Sequence, residues 1–333
     1  MLSKNGVNCF IFQNSFLGDR QATKLRYDVL SNNKILNIDS YPERDSKKKR
    51  VFESVKMSVC IVLVQKSKVS SNYYFPVNIW DDKETTTGIH TSFSFDEICS
   101  IDKVDYTIPR IRQEDKALVI KLIEKKEIVI KCIEGELNMT LHKKYFTNQE
   151  SYPLILKGAA IQRYFYTKQM SQGKIEYLDE ERYLQDCGNT EKSRHHNLDR
   201  IVMQGMTGAN DKIRLVMTII PKGFYLANSC NYILPTDNID IYCLLGILNS
   251  KLMNWFFRCF STNSNVNGYE IDNFPIPQLD NQLQNKISQL VLQILHQSNV
   301  SQIKIKEIEK QIDIIVYKIY KLNSDEIKLI TES

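Results

Sequence analysis

Several polar side chains in the sequence are of types that bind phosphates or the edges of bases. Arginine presents a planar fork of N–H donors that fits a phosphate or a guanine edge, and glutamine can bond an adenine edge through both groups of its amide. Glycine lets a backbone approach a phosphate closely. The candidates of these kinds, with neighbouring lysine and asparagine side chains, are Lys157, Gly158, Arg163, Arg200, Gln204, Arg214, Asn249, Lys251 and Asn263. Arg163 is equally compatible with a surface ion pair.

The sequence has no pattern for catalysis or metal binding. It lacks the Gly-rich turn with a downstream acidic residue that holds a nucleotide cofactor, and it lacks the Pro-Asp…Glu-x-Lys pattern of many nuclease metal sites. Cys187 with His195 and His196 is the one cluster that suggests a metal, and a solvated loop explains it better. We therefore predict no catalytic residue and no metal site.

Composition and charge place few limits on function. The net charge is +5, from 44 Lys+Arg against 39 Asp+Glu, which permits nucleic acid but is weak for a nonspecific DNA binder. No apolar run is long enough to span a bilayer, so we expect no membrane association. The eight cysteines include no Cys-x-x-Cys pair, which suits a reducing cytoplasm.

The first 70 residues show strand and helix patterns in alternation. Apolar runs at residues 7–12 and 59–65 predict buried strands. Residues 18–30 predict a helix with Leu25 facing inward and Arg26 facing solvent. These elements resemble the end of an α/β unit, and such a fragment would expose an unpaired sheet edge.

Residues 71–150 read as a mixed connector, with a strand at residues 73–77 and a helix at residues 116–126. Beyond it, three strands are predicted at residues 200–208, 214–220 and 224–234.

Residues 242–278 are the most distinctive stretch. An amphipathic helix begins at Tyr242, Asn249 and Lys251 interrupt its apolar run, and a polar loop at residues 261–268 leads into Pro-Ile-Pro.

The end of the chain predicts a helical hairpin. Five isoleucines recur at spacings of three and four residues, at positions 305, 308, 312, 315 and 319. With fewer than three full heptads, this seam favours packing within its own domain over a coiled coil between chains. A turn is predicted at residues 298–301.

In this order, the parts resemble the TaqI-like DNA adenine-N6 methyltransferases, a family that includes fused type IIG restriction-modification enzymes. The resemblance extends over essentially the whole chain, although each motif alone is weak. Its residues are Phe10-Ile11-Phe12, Leu25-Arg26, Val51-Phe52, Gly135-Glu136-Leu137, the block at residues 153–164 and the stretch at residues 242–278.

The resemblance implies an α+β fold class with four parts. Residues 1–70 would be an incomplete, Rossmann-like α/β methyltransferase tail, and residues 71–150 a connector. Residues 151–280 would be a mixed α/β target-recognition domain, and residues 281–333 a C-terminal helical hairpin.

The resemblance also implies a function, the sequence-specific recognition of double-stranded DNA. Phe52 falls where the family places an aromatic ring that stacks on the flipped-out adenine, or else it plugs a loop onto the core. No Asn-Pro-Pro-Tyr motif occurs, so S-adenosylmethionine would be bound in the complete enzyme and not by this chain alone. A separate catalytic methyltransferase half would then be a partner.

Two other interpretations stay open. The chain could be a free-standing DNA specificity subunit, although we see no second internal recognition repeat that would support one. It could also be a degenerate, non-catalytic remnant.

Overall fold

The computed structural model describes residues 3–44, 46–84, 87–168, 174–188, 190–208, 211–296 and 301–332. The chain forms two compact units. Unit 1 comprises Met1–Glu124 and Arg258–Ser264, and unit 2 comprises Lys125–Phe257 and Asn265–Ser333.

Unit 1 is built on one five-stranded sheet with the order β1-β3-β2-β4-β5. Neighbouring strands are antiparallel except for β2 and β4, which are parallel. Its elements are β1 (Val7–Gln13), α1 (Ser15–Gly18), α2 (Thr23–Asn32), β2 (Lys34–Tyr41), β3 (Val59–Gln65), β4 (Phe75–Trp80), β5 (Gly88–Phe93), α3 (Phe95–Ile101) and α4 (Lys116–Ile123).

The two apolar runs near the start of the chain form strands, as the sequence predicts. Val59–Gln65 pairs on both sides, and Val62 and Val64 are buried. Val7–Gln13 lies at the edge of the sheet, where Val7 and Ile11 stay exposed. The side chains of Val59–Gln65 are all buried or half-buried, whereas those of Val7–Gln13 are mostly exposed, in keeping with the more hydrophobic central run.

The predicted orientation of α2 is wrong, because Arg26 is buried and Leu25 is exposed. The Arg26 guanidinium donates hydrogen bonds to the carbonyl oxygens of Phe16 at 2.6 Å and of Asp105 at 2.9 Å. A charged group can be buried when backbone carbonyls satisfy its donors, and a helical pattern cannot show such distant partners.

The segment predicted as a connector contributes two strands to the sheet of unit 1. Strand β4 pairs with β2, and β5 pairs with β4. The predicted strand at residues 73–77 corresponds to β4, shifted toward the C-terminus, while β5 and α3 were not predicted. The division between the two units falls after Glu124, and Arg258–Ser264 also belongs to unit 1.

Unit 2 contains a four-stranded antiparallel sheet with the order β13-β12-β15-β6, and three two-stranded pairs. The last three residues of α7 belong to unit 1. The elements are β6 (Cys132–Glu134), β7 (Phe146–Thr147), β8 (Ile155–Leu156), β9 (Ile161–Gln162), β10 (Phe165–Tyr166), β11 (Tyr177–Leu178), α5 (Glu180–Cys187), β12 (Arg200–Gln204), β13 (Met217–Ile220), β14 (Tyr225–Leu226), β15 (Cys230–Ile233), α6 (Ile241–Leu248), α7 (Lys251–Phe260), α8 (Gly268–Asp272), α9 (Asn281–Leu295), α10 (Gln302–Ile319) and α11 (Ser324–Thr331).

The third predicted strand of this region is two strands. A turn in which the Cys230 N–H donates to the Ala227 carbonyl separates β14 from β15. Strand β14 pairs with β8, whereas β15 pairs with β12 and β6. The stretch predicted as one strand thus serves two sheets, which a single-strand pattern cannot reveal.

The distinctive helix is also divided, into α6 and α7, at Asn249 and Ser250. The Ser250 hydroxyl accepts the Met253 N–H at 3.2 Å and so caps the start of α7.

The C-terminal helices α9 and α10 pack against each other and against α6. A side chain at Gly246 would meet Ile287 and Val291 of α9, so glycine permits the close approach. The isoleucines at positions 305, 308, 312 and 315 are buried within unit 2, as the short seam predicts. The predicted turn at residues 298–301 lies mostly outside the described residues.

Within the described ranges, no helix is both long and apolar enough to cross a membrane. The same ranges hold no group of three or more His, Cys, Asp or Glu side chains placed to bind a metal ion. All eight cysteines fall inside those ranges and are free thiols.

Candidate nucleic-acid interface

Arg200 lies in the core of unit 2 and not on a surface. Its guanidinium forms an ion pair with the Glu136 carboxylate, and both side chains are at most 1% exposed. It also donates to the Phe224 carbonyl oxygen at 2.6 Å, while Glu136 accepts the Leu226 N–H at 3.0 Å. These partners use the groups that a DNA contact would need, so we withdraw Arg200 as a DNA contact.

Arg214 is buried at the base of the turn that joins β12 to β13. Its Nε donates to the Thr207 hydroxyl at 2.8 Å, and its Nη2 lies 3.3 Å from the Asn265 carbonyl oxygen. The guanidinium also lies over the Phe257 ring, 5.2 Å from its centroid. These contacts hold the turn in place. Because only 2% of Arg214 is exposed, we withdraw it as a base reader.

Asn249 is fully buried at the break between α6 and α7. Its side-chain amide donates to the Met217 carbonyl oxygen at 3.1 Å, which ties the break to β13. It lies beside the phenol of Tyr164, whose pKa is raised by burial. Asn249 is therefore a structural residue, and we withdraw it as a DNA contact too.

Arg163 and Lys251 contact acidic residues of α10. The Arg163 Nε lies 2.5 Å from the Glu309 carboxylate, and its Nη2 donates to the Asn249 carbonyl oxygen. The Lys251 ammonium is 3.8 Å from the Asp313 carboxylate. Arg163 thus makes the ion pair that the sequence left open, whereas the Lys251 side chain is 56% exposed and can still reach a phosphate.

Lys157 and Gly158 lie at a close crossing of two backbone segments. The Lys157 ammonium is 2.6 Å from the Glu176 carboxylate. A Cβ at Gly158 would collide with the Ser229 carbonyl oxygen, and the Gly158 N–H donates to the Ser229 hydroxyl at 2.9 Å. The glycine is required by this backbone approach, whether or not a phosphate binds nearby.

Gln204 is half-buried at the end of β12, where its amide Nε2 donates to the Ile161 carbonyl oxygen at 2.7 Å. Adenine reading would require this bond to be exchanged for one to a base. The role of Gln204 stays a prediction.

The two candidates of unit 1, Phe52 and Asn263, are more accessible than the buried Arg200, Arg214 and Asn249. Phe52 is 46% exposed, in a turn where its carbonyl oxygen accepts the Val55 N–H. A half-exposed ring is not a plug in the core, so this position is compatible with stacking on a base. Asn263 is partly exposed, and its carbonyl oxygen accepts the Ser261 hydroxyl at 3.3 Å.

The possible metal cluster is not assembled. The Cys187 thiol lies 3.6 Å from the Tyr145 hydroxyl, and His195 bonds the Tyr232 hydroxyl at 2.7 Å. His196 lies 3.0 Å from the Glu180 carboxylate. Each side chain therefore has its own structural partner. Desolvation by burial lowers the pKa of His195, so the buried ring favours its neutral form.

Sequence reasoning missed the described residues of the β12–β13 turn, which we call the hairpin tip: residues 205–208 and 211–213. Here Met206 is 64% exposed and Ile213 is 52% exposed. The signal was present as apolar residues inside a Gly- and Asp-containing turn, where solvent exposure is expected.

Comparison with known proteins gives one family match and one close similarity of fold. A family model described as the TaqI-like C-terminal specificity domain matches residues 154–276. No curated protein matches the chain.

Among solved structures, the chain is similar to the type IIL restriction-modification enzyme MmeI in complex with DNA, with a TM-score of 0.61 and 10% identity. The alignment covers 98% of this chain and 48% of that one, so the chain spans about half the length of MmeI. At this identity the likeness shows the fold alone.

Two further structures are matched with TM-scores under 0.5. The type IIG restriction endonuclease BpuSI aligns at 10% identity and a TM-score of 0.36, covering 96% of this chain and 48% of that one. A nuclease-deletion mutant of the type ISP enzyme LlaGI, bound to a DNA substrate mimic, aligns at 12% identity with a TM-score of 0.41, covering 88% of this chain and 35% of that one.

The expected resemblance is confirmed where the family model applies: residues 154–276 are similar to a TaqI-like C-terminal specificity domain. They belong to a chain whose mixed α/β fold is similar to that of a type IIL restriction-modification enzyme.

Proposed function

We propose that this chain is the DNA target-recognition part of a restriction-modification adenine-N6 methyltransferase. The observation that carries the proposal is the match of residues 154–276 to a TaqI-like specificity domain. The fold similarity to MmeI, which extends over 98% of this chain, is consistent with it. As its substrate would be cellular DNA, we expect the protein to act in the cytoplasm.

Recognition is assigned to accessible side chains. Lys251 would contact a phosphate, and Phe52 would stack on the extruded adenine to replace the stacking that the base loses. Asn263, Lys157 and Gln204 remain candidates that would exchange an internal hydrogen bond or contact for one to DNA. The buried residues Arg200, Arg214 and Asn249 would support the fold of unit 2.

Catalysis is assigned to a separate region, which would supply S-adenosylmethionine and the proline-flanked catalytic loop. The exposed edge strand β1 supports this division. Phe10 is 39% exposed and Ile11 is 51% exposed on a strand whose only neighbour in the described sheet is β3. An apolar sheet edge of this kind offers backbone groups and side chains to a further strand.

A reconstitution experiment tests the whole proposal. The chain would be mixed with the polypeptide encoded immediately upstream, and transfer of labelled methyl groups to adenine in DNA would be measured. Methyl transfer at one short sequence, in the mixture but with neither polypeptide alone, is the expected result. Methyl transfer by the upstream polypeptide alone at the same site would contradict the assigned recognition role.

The free-standing specificity subunit and the degenerate remnant remain alternatives. A free-standing subunit would bind one DNA sequence by itself, and adding the upstream polypeptide would produce no methylation. A remnant would bind no sequence preferentially.

A further inference from the structure

We propose that the hairpin formed by β12 and β13 reads thymine in the major groove of DNA, through the side chains of Met206 and Ile213. This inference rests on the proposed DNA-recognition function. It adds which element enters the DNA and which chemical feature of the bases it recognises.

The hairpin tip presents two large apolar side chains to solvent. Within the described part of residues 154–276, Met206 and Ile213 have the largest exposed fractions of the large apolar side chains, 64% and 52%. They stand on opposite arms of one turn. Two such residues on one turn suggest a contact surface more than two unrelated surface positions would.

The first arm of the tip is fixed by backbone hydrogen bonds. The Gly205 N–H donates to the Ser229 carbonyl oxygen at 2.8 Å, and the Gly205 carbonyl oxygen accepts the Val266 N–H at 3.0 Å. Met206 follows at once and forms a β-bridge with Asn265. The backbone that carries the Met206 side chain therefore has little freedom to lose on binding.

The second arm is fixed by Asn254 of α7. Its side-chain oxygen accepts the N–H groups of Arg214 at 2.7 Å and of Leu215 at 3.2 Å. Its side-chain nitrogen donates to the Lys212 carbonyl oxygen at 2.7 Å. Because the Arg214 guanidinium also bonds Thr207 on the first arm, this buried side chain joins the two arms. Arg214 is thus a positioning residue.

The position of this element is compatible with the major groove. The groove admits two paired β-strands, and β12 and β13 form an antiparallel pair at one edge of the four-stranded sheet, in which β12 also pairs with β15. Apolar side chains cannot read hydrogen-bond donors or acceptors. The thymine methyl group is the apolar feature that base edges present in that groove.

The charge of the hairpin tip leads to a second expectation. Its described residues include one cation, Lys212, and one anion, Asp211, whose carboxylate accepts the Gly208 N–H at 3.0 Å. Met206 and Ile213 would therefore contribute affinity that does not depend on counterion release. Removing the Met206 and Ile213 side chains should weaken binding without changing its salt dependence. In contrast, Lys212→Ala should reduce the slope of the logarithm of the binding constant against the logarithm of the salt concentration by about one.

The test uses the full chain and duplexes selected from a randomised pool. Deoxyuridine, which lacks the methyl group, replaces thymine at each position of the selected site in turn. At one or two positions, this replacement should weaken binding by the unaltered chain about four-fold, which is the loss of affinity expected from removing one buried methyl group. In Met206→Ala or Ile213→Ala the same replacement should then have no effect at the matching position.

Ile314→Ala is the matched control, because Ile314 is also 52% exposed but lies on α10. It should keep the affinity and the deoxyuridine response of the unaltered chain. Thermal unfolding and circular dichroism would confirm that each variant is folded.

Three results would overturn the inference. If Met206→Ala and Ile213→Ala keep the full response to deoxyuridine, or if the selected site contains no thymine that responds, the hairpin does not read thymine, although DNA recognition stands. If the unaltered chain shows no sequence preference, the proposed function fails together with the inference.

Discussion

Arg200 and Glu136 form a buried ion pair that joins β12 to the segment before β7, with both side chains at most 1% exposed. Each partner also forms a hydrogen bond with a backbone group in or next to β14: Arg200 donates to the Phe224 carbonyl oxygen, and Glu136 accepts the Leu226 N–H. The pair therefore fixes three segments of unit 2 at one point. Arg200, whose type suggested a contact with DNA, instead forms a buried polar centre of unit 2 with Glu136.

Removing one partner of this pair should be costly. We expect Glu136→Gln or Arg200→Met to lower the free energy of unfolding by about 3–5 kcal/mol, because an uncompensated charge or donor would stay buried. Urea denaturation would measure the loss. Lys222→Ala, at an exposed position, is the control and should change stability by less than about 0.5 kcal/mol. A loss below about 1 kcal/mol in both core variants would show that the pair is not buried as described.

Gly246 should not tolerate a methyl group. A Cβ at this position would lie 2.5 Å from Ile287 Cγ2 and 3.0 Å from Val291 Cγ2, so Gly246→Ala should destabilise the protein by about 1–3 kcal/mol through overpacking. Thermal unfolding would report the change. If the clash is the cause, Ile287→Ala should cost less in the Gly246→Ala background than in the unaltered chain; equal costs would mean that helix α9 lies elsewhere.

Asp313 should make stability depend on pH. Desolvation by burial raises the pKa of its carboxyl group above the ordinary value, despite the Lys251 N–H that it accepts at 2.9 Å. The folded state then binds a proton more tightly than the unfolded state does. The associated stability is fully present below the unfolded pKa of about 3.9, and it is lost as pH rises through the raised folded pKa.

Asp313→Asn cannot ionise and keeps an oxygen for the Lys251 N–H. Its unfolding free energy should therefore improve relative to the unaltered chain as pH rises from about 4 to 7. Urea denaturation across this range is the measurement, with exposed Asp237→Asn as the control. A relative loss of stability on raising the pH would mean that the folded carboxyl has a lowered pKa instead.

Phe52 should matter for the extruded base and little for folding. Its ring is 46% exposed, so Phe52→Ala should change stability by less than about 0.5 kcal/mol. In the reconstituted enzyme, Phe52→Ala should reduce adenine methylation, while Phe52→Trp should preserve most of it because the ring still offers a stacking face. The control is Val55→Ala, 41% exposed in the same turn. Equal methylation by Phe52→Ala and the unaltered enzyme would remove the stacking role.

The elements that the sequence predicted well are those whose pattern depends on local burial. Val59–Gln65 is apolar because its side chains are buried or half-buried, and the isoleucines of α10 repeat because one helical face packs within unit 2. Elements that depend on distant partners were missed or shortened. The strand β5 is recognisable only once β4 lies beside it, and the run at residues 224–234 divides because its halves pair with different strands.

In the candidate site, too, the roles that depend on distant partners could not be predicted from the sequence. Arginine on a strand is compatible with a base, a phosphate or a buried carboxylate, and the partner decides which. Glu136 is 64 positions away from Arg200, and Glu309 is 146 positions away from Arg163. No spacing rule connects such pairs. The exposed pair Met206 and Ile213 was missed for the opposite reason, since apolar residues are ordinarily assigned to a core.

The most direct test of the central claim is selection of bound duplexes from a randomised pool by the purified chain, at low and at near-physiological salt. We expect enrichment of one short motif that survives the higher salt concentration. Binding that is independent of sequence and disappears with salt would contradict it, because such binding involves phosphates alone.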